Sequence, residues 1–148
     1  MANFSFKYGD GHMDFSFPDE DILKVIEPAH IEVPEGTEIE KITEAIENPI
    51  GTPKLEEMIK PEDTVCILVP DMKRQWGRPA EILSVLVPKL EAIGVKDENM
   101  LIVSAVGTHK FQTPEEHALI VGKDIYDRVK VVDHNCDENL MYVGTSFR

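Results

Sequence analysis

A chain of 148 residues with 42% hydrophobic content is about one domain long and carries enough apolar side chains for a modest core. Its 28 acidic against 15 basic residues give a formal charge of −13, spread along the chain with no basic cluster, which argues against a nucleic-acid partner and reads as solvated surface. Cys66 in an apolar run and Cys136 in a polar one read as separate free thiols, the start lacks the regions of a secretory leader, and no apolar stretch reaches transmembrane length; the expectation is a cytoplasmic protein without a membrane partner.

Along the chain, FSFKYGDGHMDFSF alternates aromatic and polar residues on both sides of Gly9-Asp10-Gly11, which predicts an N-terminal β-hairpin. The segment TEIEKITEAIENP follows a proline-punctuated stretch. Its Thr37 and Glu40 have capping-box spacing and its Ile39, Ile42 and Ile46 recur at helical spacing, so an amphipathic helix is expected, ended by Pro49. A short helix should then start with Thr52 as N-cap and Pro53 at its first position.

The period changes at TVCILVP, Thr64 to Pro70, a continuous apolar run rich in β-branched residues that predicts a strand buried on both faces. RPAEILSVLVPKLEAIG predicts a helix with Ile82, Leu83, Leu86, Val87, Leu90 and Ile93 on one face, Gly94 as its cap and a kink at Pro88. MLIVSAV predicts a second buried strand. TPEEHALIVG predicts a helix with Thr113 and Glu116 as capping box and Pro114 at its first position, and RVKVVD a third strand. Strands alternating with helices imply right-handed crossovers. The expected fold is α/β: a Rossmann-like parallel sheet with helices on both faces, preceded by the hairpin, with residues 1–148 as a single domain. Three strands are few for this architecture, so the domain is expected to be incomplete at Arg148.

Ligands of open α/β sheets bind beyond the carboxyl ends of the strands, where loops and helix N-termini converge. The three strands end in PDMKR, GTHK and DHN, so Asp71, Lys73, Arg74, Thr108, His109, Lys110, Asp133 and His134 should line one edge. Glu115, Glu116 and His117 are explained by the helix start. Asp71 with Arg74 also fits a plain surface ion pair. DHNCDENLMYVG fails as a calcium loop because Glu138 and Gly144 stand where glycine and glutamate are needed. His134 and Cys136 lack the spaced partners of a zinc site, GDGHMD is not a phosphate loop, and no nucleophile elbow occurs.

The ordered blocks NPIGTPKLEEM, VPDMKR, LEAIGV, LIVSAVGTHKFQTPEEHALIVG and VKVVDHNCDENLMYVGTS, from about Tyr8 to the end of the chain, resemble the N-terminal domain of nickel-pincer lactate racemases. The resemblance implies racemisation or epimerisation of a small 2-hydroxy acid. A nickel pyridinium pincer nucleotide takes a hydride from the α-carbon and returns it to either face, while a histidine takes and returns the hydroxyl proton. His109 matches one of the family's two acid/base histidines, and Asp71 and Arg74 match its aspartate and arginine near the substrate. The second histidine, the tethering lysine and the nickel-ligating histidine lie in later segments of the family. Cofactor-binding residues are therefore unassigned, no metal ligand is expected here, no cofactor is expected to be bound covalently to this chain, and the chain alone should be catalytically incomplete. Lys73 and Gln75, followed by Trp76, depart from the family pattern and suit a 2-hydroxy acid other than lactate.

Two other readings compete with this one. A small α/β module would grip an anionic metabolite with Arg74, Lys73 and helix N-termini and do no chemistry. An interaction subunit would instead pair with another chain through an exposed sheet edge.

Overall fold

The computed structural model describes residues 1–29, 35–138 and 140–146, which fall into two compact units, 1–35 and 36–148. The first is the expected hairpin: β1 (Ala2–Tyr8) pairs antiparallel with β2 (Gly11–Phe17) through the two-residue turn Gly9-Asp10. Strand alternation puts Phe4, Phe6, Phe15 and Phe17 on one side, where their ring centroids lie 5.7–6.3 Å apart.

The second unit opens with α1 (Glu38–Glu47), whose capping box joins Thr37 and Glu40 as the spacing predicts. Next comes a single helical turn, α2 (Leu55–Met58). Its N-cap is Lys54 with no side-chain bond, so the Thr52-Pro53 start is not used and the helix begins later than expected.

The parallel sheet follows, in the order β3 (Val65–Val69), β4 (Met100–Ser104), β5 (Lys130–Asp133). Between β3 and β4 runs α3 (Pro79–Ile93); between β4 and β5 come α4 (Pro114–Val121) and the short α5 (Lys123–Tyr126). Helix α3 continues through Pro88, whose ring is exposed to solvent, and ends at Gly94. There φ is +110°, and an added Cβ would lie 3.0 Å from the Pro61 side chain, so the position requires glycine.

One core holds this unit together. Leu83, Val87 and Leu90 of α3, Ile120 and Val121 of α4 and Ile125 of α5 pack on Val69, Met100 and Ile102 of the sheet. All the strand residues in that core, with Val65, Ile67 and Val131 at its margin, share one face of the sheet by register. On the opposite face Cys66 is exposed, Leu68 is 72% exposed and Leu101, Val103 and Val132 are half-buried. The parallel α/β class therefore holds, with α3, α4 and α5 packed on a single face. The physical reason is topological. Two right-handed crossovers that step in the same direction, β3 to β4 to β5, deliver their helices to the same side.

Candidate active site

The strand tips gather the polar residues of the unit. After β3 the chain turns through Pro70 and Asp71 into a 3-10 helix, Met72–Gly77. Asp71 occupies the N-cap position, yet its side chain makes no capping bond. The carboxylate instead reaches across to the β4–α4 loop, where its Oδ2 lies 2.5 Å from Nδ1 of His109. Asp71 is buried with a side chain 8% exposed, while the imidazole is 53% exposed.

His109 is held there by a turn. Its backbone N–H donates to the Val106 carbonyl at 3.0 Å, and Gly107, with φ of +59°, reverses the chain just beyond β4. A carboxylate can only accept, so Nδ1 carries the proton toward Asp71 and Nε2 faces outward as the free ring nitrogen. In this arrangement the aspartate orients the ring and selects its tautomer, and the second ring nitrogen is left without a partner among the described residues.

Arg74 closes one turn on the same segment, its N–H donating to the Asp71 carbonyl at 2.9 Å. Its side chain is exposed, and among the described residues it enters no ion pair. The nearby Arg78 is committed instead. The hydrogen bonds it donates to the Glu81 carboxylate, with the charge of Glu38 beside it, raise its pKa further above the ordinary guanidinium value. Lys73 and Trp76 are also exposed; Trp76 lines a separate depression of about 290 Å³ with Glu38, Lys41 and Arg78, between α1 and the start of α3. Thr108 and Lys110 are exposed, and Lys110 lies 3.8 Å from Glu116.

The third strand tip behaves differently from the expectation of one shared edge. His134 is exposed and uses its backbone N–H on the Ser104 carbonyl, 2.9 Å away. The Asp133 carboxylate turns inward, 7% exposed, and accepts from His117 Nε2 at 2.8 Å and from the Gln112 backbone N–H at 2.7 Å. Gln112 was not singled out by sequence reasoning, and His117 was read there as part of the helix start. Glu116 does complete the capping box with Thr113, as predicted, but His117 points into the structure toward Asp133, 6.2 Å from the Tyr126 ring. The available signal was spacing: His117 stands three and four residues before the apolar Ile120 and Val121, on the same helical face.

Among the described residues no group of three His, Cys, Asp or Glu side chains could hold a metal ion, and no helix is long and apolar enough to cross a membrane. The strand tips thus present an Asp–His pair, with an exposed arginine on the adjoining turn.

Comparison with known proteins gives this geometry its context. The curated lactate racemase of Thermoanaerobacterium thermosaccharolyticum is 29% identical over 149 residues, a match covering 98% of this chain and 34% of that protein. That of Lactiplantibacillus plantarum is 29% identical over 111 residues, covering 73% and 26% respectively. The solved apoprotein structure of the Thermoanaerobacterium enzyme superposes with a TM-score of 0.75 at 26% identity, over 97% of this chain and 33% of that one. The chain therefore spans about a third of the length of the relatives it matches. The family model described as the lactate racemase N-terminal domain matches residues 8–148, and the chain belongs to that family.

Proposed function

We propose that this chain supplies the acid/base half-site of a lactate racemase-like enzyme that inverts the α-carbon of a small 2-hydroxy acid. The observation that carries the reading is the Asp71–His109 contact at the tips of β3 and β4. His109 Nε2 takes the proton of the substrate hydroxyl as the carbon loses its hydride, and returns it when the hydride comes back. Asp71 holds the ring in the tautomer that leaves Nε2 free and stabilises the imidazolium formed in between. Arg74 pairs with the substrate carboxylate, for which a planar guanidinium is well suited.

A planar 2-keto intermediate has two faces, so a second acid/base group must serve the other; the family resemblance implies that it comes from a later segment. The same resemblance implies a nickel pyridinium pincer nucleotide as the hydride acceptor. Among the described residues no cluster of His, Cys, Asp or Glu side chains would hold its nickel, so His109, Asp71 and Arg74 are assigned only proton transfer and carboxylate binding. The polar strand tips and the net charge of −13 also favour a small polar substrate over nucleic acid.

The test is a chimera in which this chain replaces the matching third of the Thermoanaerobacterium thermosaccharolyticum enzyme, assayed for racemisation of lactate and of bulkier 2-hydroxy acids. His109→Ala should lower kcat about 10²- to 10⁴-fold with the fold unchanged by circular dichroism. Undiminished racemisation by that variant would remove His109 from the chemistry. An inactive chimera, with tight binding of 2-hydroxy acids by the isolated chain, would replace the reading with an anionic-metabolite module.

A further inference from the structure

Beneath the His109 loop lies a polar network that the acid/base reading does not use. Gln112 sits at its centre. Its side-chain carbonyl accepts from the Met72 N–H at 2.7 Å, and its amide nitrogen donates to Ser104 Oγ at 2.7 Å and to Asp133 Oδ1 at 3.2 Å. The amide orientation is determined by its partners: Met72 N–H can only donate and the Asp133 carboxylate can only accept. Ser104 is fully buried and completes its own bonding on the Pro70 carbonyl at 3.4 Å. Among the described residues no buried side-chain polar atom lacks a partner, so the network is closed.

We infer that Gln112 is a positioning residue: its amide clamps the β4–α4 loop to the tips of β3 and β5 and thereby sets the contact between His109 and Asp71. The connectivity carries the inference. Met72 is the neighbour of Asp71, and Gln112 is three residues after His109. Besides the Asp71–His109 pair, the side-chain hydrogen bonds that join these two parts of the chain among the described residues are Gln112–Met72 at 2.7 Å and the longer Ser104–Pro70 at 3.4 Å, and the first is the one made by the loop that carries His109. A second attachment, from the Gln112 backbone N–H to Asp133, prevents the loop from sliding along the strand tips. Satisfied buried polar networks specify one arrangement where apolar contacts tolerate several. A contact as short as the Asp71–His109 pair needs that precision, because a displacement of about 1 Å at a reacting group costs up to about 100-fold in rate.

The inference rests on His109 being the acid/base group, and its test separates the two. The ring tautomer of His109 is read from imidazole 15N shifts in the full 148-residue chain. Wild type should hold the proton on Nδ1, toward Asp71, whereas a freely moving neutral imidazole favours Nε2–H. Gln112→Leu removes all three side-chain bonds, and Gln112→Glu sets a carboxylate against Asp133; both should shift His109 to mainly Nε2–H. The double change Gln112→Glu with Asp133→Asn keeps the wild-type net charge and sets an amide donor against the new carboxylate; with Ser104 Oγ turned to donate to that carboxylate and His117 Nε2 accepting in its other tautomer, donors and acceptors match again, and Nδ1–H should return at His109. Should Gln112→Leu not fold, the Glu single and double variants decide the matter on their own. In the chimera, kcat should fall about 100-fold in the single variants with little change in KM, and recover in the double. A wild-type tautomer retained in Gln112→Glu, or not regained in a folded double variant, overturns the clamp. A tautomer that follows the clamp while racemisation does not change leaves the clamp standing and overturns the role of His109.

Discussion

Replacing Asp71 by Asn separates catalytic from structural demands at one atom pair. The side chain is 8% exposed, makes no helix-capping bond and has His109 as its recorded partner. An asparagine oxygen can still accept from Nδ1, but without charge. Stability then changes through two opposed effects. A charge-assisted hydrogen bond worth about 1.5–3 kcal/mol becomes a neutral one worth about 1, and the desolvation penalty of a buried carboxylate, about 1–3 kcal/mol, is relieved. The expected net change is within about 1 kcal/mol of zero, or about 4 °C in Tm for a unit of this size. The chemistry has no such compensation. A neutral partner neither enforces the tautomer nor stabilises the imidazolium, so racemisation in the chimera should fall about 10²- to 10⁴-fold. Thermal unfolding followed by circular dichroism and a polarimetric racemisation assay measure the two sides. A loss above about 3 kcal/mol with activity retained would refute the reasoning and make Asp71 a structural residue of the 3-10 turn.

Two further outcomes test the fold. Ile102, fully buried at the centre of the middle strand, should cost about 2–5 kcal/mol when changed to Ala, measured by denaturant unfolding; a cost under about 1 kcal/mol would mean that β4 is not the centre of the core. The Thr37 backbone and side-chain hydrogen bonds hold the Glu40 carboxyl below its ordinary value of 4.5. A depressed folded-state pKa contributes stability above the unfolded value and loses it as pH falls through the folded one, so α1 should fray below about pH 4.5, and Glu40→Gln should flatten that dependence in amide-exchange measurements.

The hairpin, both capping boxes and all three parallel strands were legible because each is written in adjacent residues. Gly9-Asp10 fixes a turn, Thr113-Pro114 with Glu116 fixes a helix start, and Val65 to Val69 can only be a strand. The meeting of Asp71 with His109 was also legible, since parallel neighbours bring successive strand ends together. What the sequence did not disclose depends on direction in space. Nothing local to TVCILVP says that Leu68 faces away from α3, α4 and α5; that follows from the sense in which the two crossovers step. Likewise Asp133 was assigned to the outer edge with His134, while register places it on the core side with Ser104. Gln112 carries no motif, and only the convergence of Met72, Ser104 and Asp133 on its amide reveals it.

The one-sided helical layer divides labour within the sheet. The His109 loop and its polar anchors are secured by strand tips and by α4, all braced from the layer that holds Ile120 and Val121. The reverse side, where Cys66 and Leu68 lie open, bears none of that bracing. Substitutions there are thus free to adapt to whatever neighbour they meet without retuning the imidazole.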